Sequence, residues 1–180
     1  MTDEVMALDG IILHRVKYAD GSPGGWIERS SNLAQDGECR VEGDAGVYGN
    51  ARVYGNALVA GNAKVYDNAL VFGSAVVSGF AAVSGNARVC HDAAVSDHAV
   101  VSGFAVVYGS AAVRDHAIVC GYAMVCDNAV VCGNAMVFDT ATVCDNALVG
   151  GDAQVFKDAK VSANARVYYT EKIYDGAAGK

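Results

Sequence analysis

The sequence is short of the residues that usually punctuate or staple a fold. It has one proline, Pro23, and one tryptophan, Trp26, in 180 residues, so proline-fixed turns and bulky indole packing can occur at one place only. No run approaches the roughly 18 apolar residues of a membrane span. The start, Met1-Thr2-Asp3-Glu4, lacks the basic and apolar regions of a signal peptide. A cytoplasmic protein with no membrane partner is expected. Basic residues are scattered and in the minority, 13 against 20 acidic ones for a net charge of -7, which argues against a phosphate-backbone partner, so no nucleic acid is expected. The six cysteines include no CxxC and lack a secretory setting. Reduced surface thiols are expected, not a disulfide framework or a zinc site.

What the chain has in abundance is one pattern. From Cys39 to about Tyr168 it repeats every six residues, as in GNARVY, GNALVA, GNAKVY and DNALVF from Gly49 onward. Valine stands at every sixth position from Val41 to Val167, and alanine stands two before each valine from Ala45 to Ala165. Six is a multiple of two but not of 3.6, so each unit reads as a short strand plus a turn. In Ala-x-Val the outer two side chains share a face, which becomes the interior. The two turn positions are mostly Gly or Asp followed by Asn, residues that accept positive φ cheaply. A short strand bent at a fixed angle and repeated must coil, giving an all-β, single-stranded parallel β-solenoid. With 53% apolar residues, small Val and Ala suit a narrow core.

The coil period follows from which positions recur together. Bulky residues replace the usual turn Asn at Phe80, His98 and His116 and at Phe104 and Tyr122, and these form two unbroken columns at a period of 18. Outward aromatics pair at the same period, Tyr48 with Tyr66, Tyr54 with Phe72, and Phe138 with Phe156. Cys120, Cys132 and Cys144 align at 12 instead, but the balance favours 18, hence about seven coils. Cys39 falls in the Ala column and should point inward. Cys90, Cys120, Cys126, Cys132 and Cys144 each follow a column valine and should face outward, with only Cys126 and Cys144 becoming direct neighbours.

Three segments are expected: an N-terminal cap over 1-38, the hexapeptide coil over 39-168, and a closing strand with a frayed tail over 169-180. A solenoid needs atypical ends to cover its open edges. In the first, Gly10 to Leu13 and His14 to Tyr18 read as strands, a turn follows at Asp20 to Gly25, and Trp26 is expected to plug the prism, with Ile27 and Leu33 in the inward Ala column. Tyr168 to Tyr174 reads as the closing strand, and Asp175 to Lys180 as the tail.

The tandem V-x-G-[ND]-A-x resembles the hexapeptide repeat of left-handed parallel β-helices, which implies a left-handed triangular coil. The cap, Gly24-Gly25-Trp26-Ile27-Glu28, Asn32-Leu33 and Gln35-Asp36-Gly37-Glu38-Cys39, followed directly by hexads, is similar to the start of an uncharacterised YdcK-like group of bacterial and prophage proteins. Members of that group carry a transferase label that rests on fold. The resemblance thus implies, as an alternative function, an acyl-CoA-dependent acyltransferase with a site between subunits, where His98 or His116 would be the base. The residues depart from that pattern: the valine register never slips, so no loop is inserted, and the position after the column valine is Tyr, Ser, Cys or Phe. Asp97-His98 and Asp115-His116 stack as two weak metal-ligand candidates, but a solvated corner ladder is the plainer reading, and no cofactor or metal is expected.

The outer surface carries more information. One outward column reads Leu58, Val76, Ala94, Ala112, Val130, Leu148, without a polar residue. A second, Lys64, Ala82, Val100, Ile118, Met136, Gln154, is apolar in its middle and is bordered by both bulky corners. Phe80, His98, Val100, Ser102, Phe104, His116, Ile118, Cys120 and Tyr122 are therefore the candidate contact face. Bulky residues at Asn-type corners should cost backbone energy, which suggests a use. The expected function is non-catalytic and structural, with self-association or an unknown protein partner.

Overall fold

The structure, a computed structural model, describes residues 4-8 and 10-174 and the backbone of 177-178. The leader reading at Met1 to Asp3 and most of the tail reading at Asp175 to Lys180 fall on residues outside that set. No helix among the described residues is long and apolar enough to cross a membrane.

The hexads wind into three parallel ladders in which every strand pairs with the strand 18 residues on, as in Ala82↔Val100↔Ile118↔Met136. The ladders form the three sides of the coil. Side A carries Ala82, Val100 and Ile118, side B carries Arg88, Val106 and Met124, and side C carries Ala94, Ala112 and Val130. Cys120, Cys132 and Cys144 consequently follow strands of sides A, C and B and do not align. Each unit sends its bonds to the next coil: Val100 N–H to the Ala117 carbonyl at 2.9 Å, Ser102 N–H to Val119 at 2.9 Å and Phe104 N–H to Gly121 at 2.7 Å. With the backbone satisfied along the axis, the interior needs only shape. The column valines from Val41 to Val161 are 0% exposed.

The corner geometry refines the sequence reading. Positive φ belongs to the first turn position, Gly or Asp: Gly103 has φ 71, Asp97 has φ 59 and Asp115 has φ 62. The second position, which holds Asn, Phe, His or Tyr, does not have it. Phe80, His98, Phe104, His116 and Tyr122 therefore bear no left-handed backbone cost, and the strain expected of them is absent. The first-position aspartates offset their own left-handed backbone through a second ladder. Asp97 Oδ2 accepts the Asp115 N–H at 3.3 Å, and Asp115 Oδ2 accepts the Gly133 N–H at 2.9 Å. Side-chain amides at the second position pair likewise, Asn50 Nδ2 to Asn68 Oδ1 at 3.2 Å.

The N-terminal end is built from β1 (Val5–Leu8), β2 (Ile11–Lys17), β3 (Pro23–Ile27) and β4 (Leu33–Gly37). β1 and β2 pair antiparallel and β2 pairs antiparallel with β3, while β3 is the first strand of the parallel coil, with Trp26 opposite Gly46 and Ile27 opposite Val47. Two expectations change here. Ile27 and Leu33 sit opposite Val47 and Val53, so they occupy the valine column, not the alanine column. The first turn is thus two residues longer than the rest, and a bulge between Leu33 and Gly37 restores the 18-residue register. Because Ile27 points inward, its neighbour Trp26 points outward, across from side-chain-free Gly46 and beneath the Arg15 guanidinium at 4.8 Å. It does not plug the prism. Val16 joins the interior cluster instead, with Tyr18 packed against it, and the Tyr18 hydroxyl donates to the Val41 carbonyl at 3.0 Å.

At the other end the coil runs on past Val167. Tyr169 takes a corner at φ 59, Lys172–Ile173 pairs parallel with Gln154–Val155, and Ala177–Ala178 pairs parallel with Lys160–Val161. These strands and β3 and β4 extend the coil from the seven expected turns to about eight, in ladders of nine, nine and eight parallel strands. The hexad rule persists there in backbone form after its Ala and Val signature has gone.

Candidate functional site

The middle of side A is a trough. Its floor is Ala82, Val100 and Ile118, flanked on the same strands by Ser84, Ser102 and Cys120. One wall is the corner column Phe80, His98 and His116, with ring centroids 5.1 Å and 4.8 Å apart. The other is Phe104 and Tyr122, stacked at 4.9 Å with planes 4° apart. These spacings are the coil repeat itself, since identical positions on successive parallel coils lie about 4.8 Å apart. Toward both ends the trough is closed by side A's own rings, Tyr48 on Tyr66 at 5.2 Å and Phe138 on Phe156 at 5.1 Å. Small side chains therefore lie where the corners are tallest.

The wall residues stand in solvent: Phe80 is 59% exposed, Phe104 51% and Tyr122 62%. The structure thus brings together all nine residues expected at a contact face. Ser84, 9% exposed, was missed by the sequence reading, although its place in the column of Ser102 and Cys120 is the signal that finds it. The apolar column of side C is half-buried along its length and is walled on one edge only, since it shares the Phe80, His98 and His116 corner with side A while its other corner column reads Ser74, Asp92, Ser110 and Asn128.

His98 and His116 meet face to face, with planes 20° apart. Imidazole lone pairs lie in the ring plane, so two stacked rings do not aim them at a common ion. The adjoining carboxylates are occupied as well. Asp97 is held below the usual carboxylate range, first by the Asp115 N–H and then by the Ser96 hydroxyl. The site has the character of a stacked aromatic ridge more than of an acid-base centre.

The cysteines differ from the expected surface thiols. Cys90, Cys126 and Cys144 are 5%, 4% and 6% exposed, because each lies between coil neighbours in its ladder; Cys120 and Cys132 are half-buried. Burial raises the thiol pKa of all five, that of Cys126 to about 11. Cys39 points inward as expected, its Sγ 3.6 Å from the Val53 carbonyl.

Comparison with known proteins agrees with the fold. No curated protein matches the chain. Residues 45–61, 51–65 and 63–79 match the family described as the YdcK beta solenoid repeat. Those residues precede the trough, so the match speaks to the coil and not to its middle rows. The repeat match and the three parallel ladders together support a YdcK-like β-solenoid.

Proposed function

We propose that the chain is a non-catalytic interaction protein whose side A trough binds a second copy of itself. The observation that carries this reading is the placement of Phe80, Phe104 and Tyr122, three large exposed apolar side chains, around one uncharged floor. A chain with a net charge of -7 repels its own copies except where a contact excludes charge, and aromatic-rich, charge-poor patches are what homodimer cores use. A second unlike protein is the alternative occupant. The left-handed hexapeptide winding and a cytoplasmic setting belong to this reading, the first from the resemblance of the repeat, the second supported by six unpaired cysteines.

The acyltransferase alternative draws less support. A cavity of about 400 Å³ at the N-terminal end is lined by residues including Val16, Tyr18, Ile27, Leu33 and Cys39, with no histidine among them, and His98 and His116 lie on an open ridge. Sedimentation equilibrium under reducing conditions tests the proposal. The wild-type chain is expected to associate, and Val100→Asp with Phe104→Asp to sediment as a monomer with unchanged far-UV circular dichroism. An unchanged mass in the double variant would sink it. A discrete trimer that binds acetyl-CoA would transfer the case to the enzyme reading.

A further inference from the structure

On the edge of side B, away from the trough, the column after the valines reads Tyr108, Cys126, Cys144 on successive coils. One ligand atom each of Cys126, Asp127 and Cys144 lies within 4.8 Å of the others. Both cysteines are more than nine-tenths buried while Asp127 is exposed. The site therefore has a closed soft side and an open hard side.

We propose that Cys126, Asp127 and Cys144 form a binding site for a thiophilic d10 cation of the zinc and cadmium class. Three features carry it. Parallel in-register coils hold the two Cys residues at the same ladder position, so the sulfurs face the same way. Two sulfurs on one tetrahedral zinc stand about 3.8 Å apart, given Zn–S bonds of about 2.3 Å, so closure from the present spacing requires a shift of about 1 Å or less, within the reach of χ1 adjustments. The carboxylate is already fixed beside them: Asp127 Oδ2 accepts the Asp145 N–H at 3.1 Å and lies 3.4 Å from Cys126 Sγ.

The neighbours fit the role. Tyr108 stands one coil before Cys126 in the same column, which places a phenol next to the pair in the position of a second-layer group of the kind that steadies a metal-bound thiolate. Two thiolates favour a soft ion and the carboxylate oxygen a borderline one, which selects zinc or cadmium over magnesium or calcium. Three protein ligands leave a fourth tetrahedral position, open on the Asp127 side, for water. Binding is balanced by the loss of two protons, one from each thiol, for every ion taken up. The spacing i, i+1, i+18 matches no familiar cysteine motif, because the ligands are assembled by coil stacking and not by a local turn.

The test uses the full chain, reduced with a phosphine under argon and titrated with cadmium chloride while sulfur-to-cadmium charge-transfer absorption is followed. Saturation at one ion per chain is expected. Cys126→Ser and Cys144→Ser should each weaken binding at least tenfold, Asp127→Asn several-fold, and Cys120→Ser and Cys132→Ser not at all. Where a Cys126 variant fails to fold, alkylation mapping on the wild type decides: cadmium should protect Cys126 and Cys144 selectively. Protection of other thiols, absence of the charge-transfer band at millimolar cadmium, or an air-formed Cys126–Cys144 disulfide in a chain that ignores cadmium when reduced would each overturn the proposal.

Discussion

At the scale of single residues, each of the six positions in a hexad has its own physical constraint. The valine column is set by volume. Val101 is fully buried, and Val101→Ala removes two methyl groups from a prism that cannot collapse around the gap, because both flanking coils are pinned by backbone bonds. A loss of about 2 kcal/mol is expected in chemical denaturation. The first corner position is set by φ. Gly103→Ala would place a Cβ 3.0 Å from the Gly121 backbone at φ +71, so it should destabilise by about 1 to 2 kcal/mol. Aspartate survives at such corners through its carboxylate ladder. Asp97, whose pKa is lowered by the Asp115 amide, contributes stability that is fully present above the unfolded carboxyl pKa. That contribution is lost as pH falls through the lower folded value. Asp97→Asn should therefore flatten the fall in melting temperature below about pH 4. The inward columns and the glycine or aspartate preference were legible from periodicity alone. The carboxylate ladder was not, since its bonds join residues 18 apart, and neither was the division of labour between the two corner positions, which the sequence presents merely as adjacent polar residues.

At the scale of elements, the hexad is a strand whose partners are supplied by the chain itself 18 residues away. Aromatic side chains at one position therefore stack in register. Phe138 and Phe156, 5.1 Å apart and 2° from parallel, should show a coupling of about 0.5 to 1.5 kcal/mol in a double-mutant cycle. The period of 18 could be read from these aromatic pairs before any coordinates. The N-terminal cap could not be read so well, because it lacks a repeat to average over. Trp26 looked like a plug because it is large, yet strand alternation places it outward once Ile27 points in. Asn32 stood out in the sequence only as part of the cap resemblance, yet it is 1% exposed and its Nδ2 donates to the Gly49 and Ala51 carbonyls at 3.1 and 2.8 Å. Asn32→Ala would leave those acceptors without their donor in a dry site, and a loss of about 2 to 3 kcal/mol in thermal or chemical unfolding is expected.

At the scale of the whole molecule, a solenoid has contacts only between neighbouring coils, and its interior is the same everywhere. What distinguishes one stretch from another is the outer surface, and among the described residues only the middle rows of side A set small floor residues between aromatic corners on both edges. The column composition made this face visible in the sequence. The cysteine pair on side B was visible only as a neighbour relation, because burial by stacking depends on what the coils above and below present. The strain argument for the bulky corners fails, so the contact reading rests on exposure and placement alone.

The most direct measurement uses a thiol already in place. Cys120 flanks the trough floor on side A, while Cys132 follows a strand of side C, and both are half-buried. The alkylation rate of each, mapped by mass spectrometry across a range of protein concentrations, reports which side becomes covered on association. The account predicts that Cys120 slows as concentration rises while Cys132 does not, and that Val100→Asp with Phe104→Asp abolishes the slowing. Rates for Cys120 that stay constant with concentration, or protection of Cys132 in its place, would contradict it.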